Sequence, residues 1–136
     1  MDSFLSALGD RFNIHTSRIG EGWQVELPPR GRFNCRLSIG SGALDWYATI
    51  CQADTGNEVY TDWNDYKGYD SSPLNALIEE KQNDIAWFVE RWLAATDIRI
   101  IVDKHLFGLL KFRRAQWLHD GEWYGVILGD PENEPD

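Results

Sequence analysis

The run YTDWNDYKGYDSS, residues 60–72, sets carboxylates and amides among aromatic rings, and the first chemistry it invites is cation binding. A calcium loop carries oxygen ligands at its first, third and fifth positions, glycine at the sixth and a bidentate Glu at the twelfth. Asp62 and Asn64 meet the first two requirements, but Tyr66, Lys67 and Pro73 occupy the remaining places. Zinc fares no better. Cys35, Cys51, His15, His105 and His119 show none of the short paired spacings of a structural zinc site. No metal or cofactor is expected.

Nucleophilic catalysis needs a nucleophile beside a base and a group that orients the base. The nearest hint is His119-Asp120, which falls where a hairpin turn is expected and reads as a solvated histidine beside a turn-forming aspartate. Glu79-Glu80 belongs to the polar side of a helix, where charges are the rule. The GSG at 40–42 lacks the spacing and the following Lys-Ser/Thr of a phosphate loop. No catalytic residue is nominated, and the chain is not expected to be an enzyme.

The basic cluster KFRR at 111–114, with Lys104 and the rings of Phe112 and Trp117 nearby, has the composition of an RNA or phosphate patch. The whole chain opposes that reading. Thirteen Lys and Arg against 22 Asp and Glu give a net charge of -9, so cations have acids to pair with and the summed field repels phosphate backbones and anionic membrane surfaces. Neither nucleic acid nor a membrane is an expected partner.

The elements that must position any site follow from periodicity. Residues 2–11 read as a short helix with Phe4, Leu5 and Leu8 on one face and Asp2 or Ser3 as cap. Residues 22–27, 33–39, 44–50 and 58–63 alternate apolar and polar positions, with turns at PPRG 28–31, GSG 40–42 and ADTGN 53–57. Four such strands make an antiparallel meander. Cys35 falls in the inward series with Phe33 and Leu37 and Cys51 in the outward series with Tyr47 and Thr49, a placement that disfavours a disulfide and suits reduced thiols in the cytoplasm.

Ser72-Pro73 starts a long amphipathic helix over 73–96, whose stripe holds Leu74, Leu77, Ile78, Ile85, Phe88, Val89 and Trp92. IRIIV at 98–102 reads as a buried strand. Residues 104–117 fit either a strand pair or a helix capped by Asp103, and Gly108 with its bulky neighbours favours strand. WLHDGEWY gives a hairpin on an Asp120-Gly121 type I′ turn. The expected fold is α+β: an antiparallel sheet of about four strands plus C-terminal strands, packed on one long helix, with a short N-terminal helix. One domain is expected over 1–129, followed by an acidic, disordered tail at 130–136. The N-terminus lacks the basic and apolar regions of an export signal, and no run is long enough to cross a membrane.

Binding surfaces are more informative than chemistry. Trp87 lies about 200° around the long helix from its apolar stripe, among Glu80, Asp84, Glu90 and Arg91. Either a flanking loop or the N-terminal helix covers it, or it stands exposed inside an acidic rim, where aromatic anchors often carry binding energy. Asp65, Tyr66, Tyr69 and Asp70 precede the helix, and Glu79, Glu80, Asp84 and Trp87 would extend them into one acidic-aromatic surface. The expectation is a small cytoplasmic binding protein, monomer or homodimer, for a basic protein partner. Bacterial immunity proteins, which block toxins, have this size, acidity and lack of motifs. A dimeric secretion chaperone holding cargo is the alternative, and a small-ligand domain or enzyme comes third.

Overall fold

A computed structural model describes residues 1–64 and 73–125. The fold is α+β, with two helices and two antiparallel sheets among the described residues. Helix α1 (Asp2–Phe12) leads into β1 (His15–Ile19), β2 (Gly22–Arg30), β3 (Phe33–Ile39), β4 (Trp46–Gln52) and β5 (Glu58–Asn64). Helix α2 (Leu74–Ala94) follows, then β6 (Asp97–His105), β7 (Leu110–His119) and β8 (Glu122–Gly125). The first five strands form one sheet in chain order, and β6-β7-β8 form the second. The expected tail at 130–136 and the capping role of Ser72 lie outside the described residues.

The meander has one strand more than the sequence pattern gives. HTSRI carries little apolar alternation, and β1 forms by pairing its backbone with β2. The expected turn at PPRG is also shorter. Strand β2 continues to Arg30, with a register shift between Leu27 and Arg30 that accommodates Pro28 and Pro29. A bulge is one of the few places where a sheet tolerates a missing N–H. This bulge docks the long helix: the Pro28 carbonyl accepts from Trp92 Nε1 at 2.8 Å, and Arg30 donates to the Leu93 carbonyl at 3.0 Å. The second contact satisfies one of the carbonyls that a helix C-terminus leaves unpaired.

Helix α1 is capped differently from the expectation. Met1 is its N-cap, without a side-chain hydrogen bond. Asp2 instead accepts from the indole N–H of Trp23 at 2.5 Å and from Arg18 at 3.3 Å, tying the helix to the sheet. The Trp23 hydrogen bond, aided by Arg18, holds the Asp2 carboxyl below the usual carboxylate range. Helix α2 begins at Leu74 with Pro73 as its N-cap, and ends at Ala94 because Ala95 is extended.

Register explains the core. Inward rows run Trp23–Ile39–Trp46, Val25–Leu37–Ala48 and Leu27–Cys35–Ile50 across β2, β3 and β4. Against them α2 buries Leu77, Ile85, Phe88, Val89 and Trp92. Trp46 meets Phe88 edge-on at 5.9 Å, and Phe88 stacks on Trp92 at 6.5 Å. Ile98, Ala115 and Trp117 of the second sheet belong to the same buried cluster. Both cysteines are free and buried. The β4 register places Cys51 opposite Asn34, in the outward series as expected, and it is buried there with Arg36 reaching over it, Nη1 lying 3.8 Å from the sulfur. Burial pushes the Cys35 thiol far above its ordinary value.

Two tryptophans give a matched comparison. Trp92 Nε1 has the Pro28 carbonyl, whereas Trp46 Nε1 is buried with no hydrogen-bond partner among the described residues. An unmade buried hydrogen bond costs about 1–3 kcal/mol. Trp46→Phe is therefore expected to be less destabilising than Trp92→Phe by about 1 kcal/mol in urea unfolding. Equal losses would mean that the indole N–H groups contribute nothing distinguishable.

Candidate interaction surface

Helix α2 presents the acidic side chains. Glu79 and Glu80 are exposed, while Asp84 and Trp87 are half-buried. Glu80, Asp84, Trp87 and Arg91 follow one another at four-, three- and four-residue steps, so they form a single stripe along the helix. Arg91 lies over the Trp87 ring at 5.3 Å. The other half of the nominated surface, Asp65, Tyr66, Tyr69 and Asp70, lies outside the described residues.

Among the described residues, Trp87 has a cover that helical periodicity does not supply, a strand of the second sheet. Its ring packs on Trp117 of β7 with centroids 5.8 Å apart, and Trp117 also meets Phe88 at 6.0 Å. The second sheet thus lies alongside the helix and shields a position that helical periodicity places away from the main stripe. Trp87 is half-buried, with its acidic neighbours Glu79 and Glu80 in solvent.

The basic cluster divides. Arg114 Nε pairs with Asp103 at 2.8 Å and Arg113 donates to the Val59 carbonyl at 3.1 Å, so two of its cations have acceptors within the fold. Lys104 and Lys111 face each other directly across the β6–β7 ladder, and both are exposed. Beyond them the hairpin tip carries Leu106, Phe107 and Leu109, all large, apolar and exposed, Phe107 completely so. The sequence held a signal for this tip, HLFGLL, a turn region without a charged residue between His105 and Lys111. Its exposure could not be read without knowing that the hairpin projects past the core.

Elsewhere the chemistry stays structural. His119 lies 3.3 Å from the Asp120 carboxylate through Nε2 and 3.3 Å from the Ala94 carbonyl through Nδ1, an arrangement that fastens the end of β7 to the end of α2. On the face of the five-stranded sheet opposite the core, register aligns His15, Glu26, Arg36, Thr49 and Thr61 across the strands, and Arg36 is ion-paired with Glu58. Tyr60 donates to Asp62 at 3.3 Å, and burial, reinforced by that carboxylate, pushes the phenol upward. Among the described residues no group of three or more His, Cys, Asp or Glu is placed to hold a metal ion. No helix among them is long and apolar enough to cross a membrane. Comparison with protein-family models, curated proteins and solved structures finds no match to the chain.

Proposed function

We propose that the protein is a non-catalytic binding protein that neutralises a basic protein partner in the cytoplasm, in the manner of a bacterial immunity protein occluding a toxin's active site. The observation that supports this reading is the outer stripe of α2, where Glu79 and Glu80 stand in solvent above Asp84 and the half-buried Trp87. The chain's charge of -9 adds a long-range field of the same sign. Such a field speeds encounter with a cationic surface, and aromatic anchors at its centre slow release. Occlusion asks no chemistry of this chain, and the buried, unlinked thiols are in keeping with a reducing compartment.

The test is binding to the basic product of the neighbouring gene, measured by stopped-flow association and calorimetry. Reversing both exposed charges, Glu79→Lys with Glu80→Lys, is expected to lower the association rate at least about tenfold at low salt, with little change near 1 M salt. A rate unchanged by this reversal removes α2 from the interface. Cargo held only in unfolded form by a dimer would point to the chaperone class instead.

A further inference from the structure

Strand β6 is an outer strand of its sheet, pairing with β7 alone among the described residues. Outer strands are commonly protected by charge, proline or brevity, because their free backbone groups invite another strand. This one is nine residues long, with Ile100, Ile101 and Val102 at its centre. Its central five residues, RIIVD at 99–103, have a further property: charges and apolar residues are arranged symmetrically about Ile101, whereas the flanking Ile98 and Lys104 are not matched. In an antiparallel pair of two β6 strands centred there, Arg99 falls opposite Asp103, Ile100 opposite Val102, and Ile101 opposite itself. Residues directly opposite share a face, so each of these contacts is a side-chain contact of the favourable kind. The outer strands of the larger sheet do not read this way. Centring HTSRI sets His15 against Ile19, and centring EVYTDWN sets Tyr60 against Asp62.

We infer that two copies of this chain associate through their β6 edges about a two-fold axis at Ile101, joining the three-stranded sheets into one of six strands. The β2–β3 turn limits the pairing at one end. Gly31 of that turn lies against the Asp97 carboxylate and close to the Ile98 backbone N–H, which donates to that carboxylate at 2.8 Å. Ladder formation therefore spans Arg99–Asp103, and the hairpin tip of the second copy runs on over the β2–β3 corner. There Gly31, Arg32, Phe33 and Ala53 line an open recess. The tip carries Phe107, whose exposure in a single chain is complete, and it is held in an uncommon backbone shape: Leu106 and Phe107 both have positive φ, at 52° and 58°. Bulky residues adopt that region only where something compensates its cost, and such sites concentrate where a ligand or partner binds. Within one chain Arg99 donates to Gln116 at 2.8 Å and lies over the Trp123 ring at 4.1 Å, and Asp103 pairs with Arg114 at 2.8 Å. The second copy supplies a cover for Phe107 in the recess, and adds an opposite charge across the edge to each of Arg99 and Asp103. This surface is separate from the acidic stripe of α2, and the inference stands whether or not a basic partner exists.

Sedimentation equilibrium on the purified full-length chain, with no other protein present, tests it. The native protein is expected to be dimeric at tens of micromolar. Arg99→Asp and Asp103→Arg should each weaken the dimer by at least about tenfold, since each sets like charges face to face in both symmetric positions. Mixing the two variants should restore association. The carboxylate introduced at position 99 of one copy then faces the guanidinium introduced at position 103 of the other, and the unchanged Asp103 of the first copy faces the unchanged Arg99 of the second. Circular dichroism and urea unfolding of each variant separate a lost interface from a lost fold, and Phe107→Ala, at a fully exposed site, gives a further variant expected to weaken the dimer. A native monomer up to roughly 100 μM, or a mixture that dissociates as readily as the single variants, overturns the inference.

Discussion

Trp117→Ala is expected to destabilise the protein by about 3–5 kcal/mol, the range for removing a large buried ring. Trp117 is 1% exposed and sits where three parts of the molecule meet. Its ring contacts Trp87 and Phe88 on α2, and its strand carries Ala115 into the same core. Aromatic pairs of this geometry add about 0.5–1.5 kcal/mol each beyond the area they bury. Against a total stability of about 5–15 kcal/mol the loss is large, and a melting temperature lowered by roughly 10–20 °C should accompany it. Urea unfolding checks the figure. Hydrogen exchange adds a spatial prediction, since amides of β6, β7 and β8 should lose protection before those of β2, β3 and β4. A cost below about 1 kcal/mol would mean that the second sheet is held by something other than this ring.

Gly31→Ala is the second large effect, and Gly56→Ala is its control. Both glycines have positive φ, 59° and 74°, so a side chain at either meets the same backbone penalty of about 1 kcal/mol. Their surroundings differ. Among the described residues a Cβ at Gly56 meets nothing within 4 Å, whereas one at Gly31 is driven into the carboxylate of Asp97. Asp97 cannot simply swing aside, because it holds the backbone N–H of Ile98 at the start of the second sheet. Gly31→Ala should therefore cost at least twice what Gly56→Ala costs. Adding Asp97→Ala to Gly31→Ala should be less than additive, because the clash and the lost hydrogen bond share one carboxylate. Equal costs at the two glycines in thermal unfolding would show that the β2–β3 turn has room to move away from β6.

Much of this arrangement was legible in the sequence, for identifiable reasons. The apolar residues of β3 and β4 recur at every second position because they line the core side of the sheet, although Thr49 and Cys51 on the other side of β4 are buried too, and α2 is long enough for its stripe to be unambiguous. The Asp120-Gly121 turn is readable because a type I′ turn needs two residues at positive φ, and the pair adopts 50° and 80°. What stayed hidden depended on long-range contact. Strand β1 owes its existence to pairing rather than to its own apolar pattern. The prolines at 28 and 29 look like a turn until the bulge and its bonds to Trp92 and Leu93 are known. Helical periodicity sets Trp87 apart from the main stripe, but the cover it receives comes from Trp117 on a later strand, which no helical wheel can supply. For the nominated surface, position on the helix was readable; which side chains stand in solvent was not.

The strand order has a consequence for how the chain comes to be folded. Every strand of the first sheet pairs with its immediate neighbour in the chain, so each pairing closes only a short loop. During synthesis the whole meander can emerge and assemble before α2 is free to pack on it. Its inner rows, from Trp23 to Ile50, would then be wet on one side until the helix and the last hairpin arrive. If the meander closes first, its apolar face stays open until the helix and the last hairpin pack on it, and the speed with which residues 74–119 follow sets how long that face is open to the wrong neighbour.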